Sequence, residues 1–161
     1  VADLDLIERI RAIFLHHEDR VTIAEAADML GWTRAEMNAA IRSGDIEPLG
    51  TCSGKMIELR ELAGHALHLW SLTTIEEALG RDAALVMPPA LRTRKLTVRL
   101  PLYQIAALKI LAAEGTESVD TMLERMFHEL TDNEKERLAP LIPGLVEAIG
   151  WPEIRDTEQP S

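Results

Sequence analysis

Lys95, Thr97 and Arg99 alternate with Leu96, Val98 and Leu100 in a short run that stops at Pro101. As a β-strand, this run puts the three apolar side chains on one face and the three donors on the other. An exposed face of Lys, Thr and Arg can donate hydrogen bonds to phosphates and to guanine N7 and O6. Arg92 and Arg94 come just before it. No Asp or Glu stands between Asp82 and Glu114, an interval that also holds Lys109. The chain as a whole carries −10, so this +5 interval sits within a remainder of −15. So acidic a chain does not coat nucleic acid indiscriminately, and anion contact is expected where the basic side chains gather.

The neighbouring elements must hold that strand in place. Pro101 cannot donate to a ladder but suits the first turn of a helix, so strand should pass directly into helix. Leu102, Ile105, Ala106, Leu108, Leu111 and Ala112 recur at helical spacing as far as Gly115. Ser118 can cap a second helix with Val119, Met122, Leu123, Met126, Phe127 and Leu130 as its apolar stripe. A lone strand with two helices, in about forty residues, leaves backbone and apolar faces without partners, so the unit needs a second copy. Leu96, Val98 and Leu100 are then the expected dimer core. The run KLTVRLP, followed by a helix, a Gly-containing turn and a Ser-capped helix, resembles the ribbon-helix-helix (Arc/MetJ-type) repressors. That resemblance implies an antiparallel ribbon from two chains in the DNA major groove, with Lys95, Thr97 and Arg99 on the base-reading face. It also implies a phosphate against Ser118 and the amides that start the second helix, with Arg92 and Arg94 alongside the ribbon as DNA contacts.

A second informative stretch runs from Val21 to Trp70. Thr22 can cap a helix from Ile23 to Leu30 that stops at Gly31, and Thr33 can cap another from Arg34 to Ser43 that stops at Gly44. Two short capped helices joined by Gly31-Trp32-Thr33 read as a helix-turn-helix. Asp45 to Glu58, with Pro48, Gly50 and Gly54, suits a small hairpin, and Leu59 to Trp70 is helical again. The residues AADMLGWT, then IRSGDI, a wing and a closing helix are similar to the excisionase and MerR-type winged helix-turn-helix. The resemblance implies that Thr33, Arg34, Ala35, Asn38, Ala39 and Arg42 face DNA and that Lys55 sits on the wing. Asn38 can pair bidentately with adenine, and Arg34 or Arg42 can reach guanine or phosphate. Val21 to Trp70 nevertheless holds seven acids against four bases, so this module gains little from counterion release.

Other candidate groups read as structural. Adjacent His16 and His17 do not share a helical face, and Glu61, His65 and His68 share one without an evident fourth ligand, so no metal is expected. Cys52 is the single cysteine, which rules out an intrachain disulfide and favours the cytoplasm; Lys55 alone does little to activate its thiol, and it reads as a small wing residue. Gly54-Lys55 resembles the end of a phosphate loop, but Gly50 stands one residue too close and Met56 replaces the Ser or Thr. No catalytic signature is found, no enzyme activity or cofactor is expected, and no apolar run is long enough to span a membrane.

The remaining stretches complete the expected order. Asp3 to Leu15 has a helical apolar face. Ser71 to Gly80 reads as a short helix capped by Thr73 or Thr74 with Glu76 and Glu77 in its first turn. Asp132 to Leu138 and Pro143 to Ile149 read as short helices, with Gly150 ending the pattern and Trp151 returning to the body. The expected fold is mostly α: a winged helix-turn-helix domain over 1–80, a linker over 81–91, and a ribbon-helix-helix dimerisation domain with C-terminal short helices over 92–155. Residues 156–161 are expected to form a tail. The expected function is a homodimeric, sequence-specific regulator, repressor or antitoxin-like, that binds double-stranded DNA. The alternative is a dimeric adaptor or toxin-neutralising protein whose acidic winged domain binds a protein partner.

Overall fold

The computed structural model describes residues 4–50 and 54–152. The chain is mostly helical, with one two-stranded antiparallel sheet. It divides into two compact units. The first runs to Met87 and resumes at Trp151, and the second is Pro88–Gly150.

The first unit begins with α1 (Leu4–Leu15), followed by β1 (Arg20–Thr22), α2 (Ile23–Leu30) and α3 (Arg34–Ser43). β2 (Met56–Glu58), α4 (Leu59–Leu69), α5 (Leu72–Leu79), a 3₁₀ turn at Gly80–Asp82 and α6 (Ala83–Val86) complete it. Thr-x-x-Glu opens both α2 and α3. Thr22 and Thr33 accept from the backbone N–H of Glu25 and Glu36, whose carboxylates reach back to the threonine N–H groups, so orphan donors at each helix start are satisfied reciprocally. Gly31 (φ 70°) and Gly44 (φ 83°) close the same helices in the left-handed conformation. The N–H groups of Trp32 and Asp45 return to the Ala27 and Ala40 carbonyls at 2.9 Å each, the six-to-one bond that ends a helix sharply.

Apolar residues of α1, α2, α3 and α4 form the core with Val21 and Ile57, which face each other across the sheet and are almost wholly buried. β1 was not legible as a strand, because three residues are too few to show an alternation. Leu49 and Met56 exchange both backbone hydrogen bonds, at 2.8 and 2.9 Å, where the hairpin is expected. Its tip, with Cys52, lies outside the described residues. Arg11 of α1 donates to the Ala78 and Leu79 carbonyls at the end of α5 and pairs with Asp82 at 2.5 Å.

Two details correct the sequence reading. Ser71, not Thr73 or Thr74, caps α5: its hydroxyl accepts from the Thr74 N–H at 3.1 Å, so the helix starts earlier and no acid falls in its first turn. The segment 81–91 is not a plain linker either. It holds α6 and a second 3₁₀ turn, Pro89–Leu91, with Ala83 and Met87 buried. Trp151 does return to the body. It is buried, stacks on Phe14 with ring centroids 5.1 Å apart, and donates its indole N–H to the Val86 carbonyl at 2.9 Å.

In the second unit, α7 (Leu102–Glu114) follows Pro101, and α8 (Val119–Asn133), α9 (Lys135–Leu138) and α10 (Leu145–Gly150) follow in turn. Gly115 does not take the left-handed conformation. Thr116 does, at φ 55°, and the Glu117 N–H closes onto the Ala112 carbonyl, so the helix-ending motif falls one residue later than the glycine suggests. Gly150 likewise belongs to the last turn of α10 instead of following it. The strand expected at Lys95–Leu100 is not formed in the single chain: Arg94 to Leu100 make no backbone hydrogen bond among the described residues. A strand exists only with a ladder partner, and β1 and β2 pair with each other.

Candidate nucleic-acid interface

The candidate residues divide between the two units. In the first, α3 buries Met37 and Ala40 and turns Arg34, Ala35, Asn38, Ala39 and Arg42 to solvent, with Thr33 exposed at its start. Lys55, just before β2, is exposed too. Arg34, Arg42 and Lys55 have no ion-pair partner among the described residues. Glu36 tempers this surface. Its carboxylate accepts from the Thr33 N–H at 2.6 Å and hydroxyl at 2.9 Å, and these bonds hold its pKa below the usual carboxylate value. A fixed negative charge therefore stands in the first turn of the helix that carries Arg34 and Asn38.

The Glu61–His65–His68 face has a structural use that its spacing did not reveal. Glu61 accepts from the Glu47 N–H at 2.5 Å, and His65 Nε2 bonds the Asp45 carbonyl at 2.6 Å with its ring edge-on to Trp32. Both brace the chain leaving α3 against α4, so the exposed face of α3 is held from behind. His68 is exposed.

In the second unit, Arg92, Arg94, Lys95, Thr97 and Arg99 are all exposed, and so are Leu96 (83%), Val98 (60%) and Leu100 (37%). Arg94, Lys95 and Arg99 have no ion-pair partner among the described residues. Ser118 caps α8, accepting from the Thr121 N–H at 3.1 Å. Its hydroxyl is therefore engaged by its own helix, leaving backbone amides as the groups that can meet an anion there. Glu117, the acid beside that cap, is answered by Arg125, which donates to it at 2.6 Å; Glu117 in turn raises the arginine pKa. The sequence reading missed Arg125, which reaches back over two helical turns.

The apolar surface of the second unit is as informative as its charge. Of the sixteen exposed large hydrophobic residues described in the chain, thirteen lie between Leu96 and Val146, whereas only Ala112, Met122 and Leu145 of this unit are buried. On α7, Ile105, Leu108 and Ala112 occupy one face, and Leu102, Ala106 and Ile110, on the flank beside it, are exposed. A helix apolar all round is normally buried all round. No family model, curated protein or solved structure matches this chain.

Proposed function

We propose that this protein is a sequence-specific, DNA-binding transcriptional regulator, repressor or antitoxin-like, that acts as a homodimer. One observation carries the reading: Leu96, Val98 and Leu100 stand exposed beside a backbone without partners among the described residues, while Lys95, Thr97 and Arg99 alternate with them in the acid-free interval. A second copy meets both needs at once. Antiparallel pairing of the two segments satisfies the backbone, turns the apolar side inward and leaves the donors on an open face. The exposed outer side of α7 supports the same partner, since a ribbon alone does not cover Leu102 and Ile110. In this reading the second unit is a ribbon-helix-helix module and the first a winged helix-turn-helix, with α3 offered to the major groove.

The acidic balance of the first unit favours a second reading, in which that unit binds protein while the ribbon holds the dimer. Selection from a random DNA pool, followed by salt titration of the selected site, separates the two. The DNA reading expects an inverted-repeat site whose affinity falls steeply with salt, with a log–log slope of roughly −4 or steeper. Failure to enrich any sequence would sink it in favour of the adaptor.

A further inference from the structure

From Arg94 to Leu100 every residue is exposed, and none makes a backbone hydrogen bond among the described residues. Arg94, Lys95 and Arg99 in this stretch have no ion-pair partner among those residues, and no acid stands between Asp82 and Glu114. Elsewhere among the described residues, every Lys and Arg except Lys55 and Arg92 lies within a helix, a 3₁₀ turn or a strand. An endoprotease holds its substrate in extended form, and one that cuts after Arg or Lys reads the cation with a carboxylate in its pocket. Helical or paired backbone must open locally before it can be held in that way, a cost that Arg94–Leu100 does not bear.

We propose that Arg94–Leu100 is a cleavage site for an endoprotease specific for Arg or Lys, open in the single chain and closed when a second copy pairs with it. Closure rests on the homodimer reading. A strand held by its partner along one edge and by a shared core on one face cannot enter a protease cleft. Assembly then sets the lifetime of the chain: an unpaired copy is cut and a paired copy is spared. The reaction is hydrolysis. One water is consumed, and cutting after Arg94 leaves a carboxylate on Arg94 and an amino group on Lys95. The cut does not by itself release the ribbon residues. They stay joined to Trp151, which is buried, stacked on Phe14 and bonded to the Val86 carbonyl in the first unit.

The test is limited digestion of the full chain by trypsin, without DNA, across the range of concentration in which sedimentation finds assembly. A mass-labelled arginine peptide in each tube reports the activity of the protease. Mass spectrometry should find cutting after Arg94, Lys95 or Arg99 before cutting at any Lys or Arg held in a helix or strand. Where the dimer predominates, the fraction of single chains falls as the inverse square root of concentration, so about a hundredfold rise should slow these cuts about tenfold. Val98→Asp should be cut at the same bonds at a rate that concentration does not change. Val98 is exposed in the single chain, circular dichroism checks that the variant stays folded, and the wild-type dilution series decides without it. First cuts within helices or strands would overturn the site. Cutting of the wild type that ignores concentration would overturn closure. If that chain sediments as a dimer, closure alone falls and the homodimer reading stands; if it sediments as a monomer, both fall.

Discussion

Arg125 donates to Glu117 across eight positions of chain, so the acid that precedes the Ser118 cap is held by a cation of its own helix. If a phosphate lies against the start of α8, the two residues have opposite effects on it. Arg125→Ala frees the negative charge and should weaken DNA affinity, whereas Glu117→Gln should strengthen it modestly. Fluorescence anisotropy on the selected site measures both. A gain from Arg125→Ala would show that no anion is held there.

The exposed apolar residues of the second unit make assembly the most direct test. Sedimentation should find a dimer at micromolar concentration, and the thermal midpoint should rise with protein concentration. Val98→Asp should abolish assembly, because the carboxylate would lie in the shared core. A folded wild-type monomer at the same concentration would defeat the homodimer.

The two candidate surfaces should differ in weight. Arg99 lies in the acid-free interval, while Arg34 shares its helix turn with the ionised Glu36. Arg99→Ala should therefore cost about 1–3 kcal/mol of DNA affinity if it reads a base, and Arg34→Ala appreciably less. Equal losses would mean that both units work on one site with equal weight.

The capping boxes give a pH signature. Hydrogen bonds from the backbone first, then from the hydroxyls, of Thr22 and Thr33 lower the pKa of Glu25 and Glu36 from the ordinary 4.5. Folded values below unfolded ones mean that this stabilisation is complete above about pH 4.5 and is lost as pH falls through the lowered values. NMR titration should place both midpoints below 4.5. Thr33→Val removes the hydroxyl's bond to the Glu36 carboxylate, the smaller cause, together with its acceptance of the Glu36 N–H, and should return Glu36 part of the way; an unmoved midpoint would refute the assignment.

What was legible in the sequence was local. Thr22, Gly31, Thr33 and Gly44 mark helix ends through bonds made within a few residues, and α2 and α3 have the bounds those signals indicate. Ser118 and Pro101 mark α8 and α7 in the same way. What escaped depends on contacts distant in sequence. β1 is a strand only because residues 56–58 lie beside it, and Arg11 holds the end of α5 from 67 and 68 positions away. The candidate cations are exposed as their polarity implies, yet Arg125 and the bracing by Glu61 and His65 required knowing which loops meet. The alternation at Lys95–Leu100 was legible as a pattern, but no single chain can supply its partner.

The Val86 carbonyl and the Trp151 indole meet at 2.9 Å, so the first unit releases the chain and recovers it at adjoining points. In this respect residues 88–150 are an insertion, spliced into a host whose ends already touch, the arrangement in which excision and grafting are tolerated. Joining Met87 to Trp151 through a short Gly-Ser bridge should leave the host folded, with Phe14 and Trp151 still stacked. Truncating instead at residue 80 would strip away Ala83 and Met87, two buried side chains of that host.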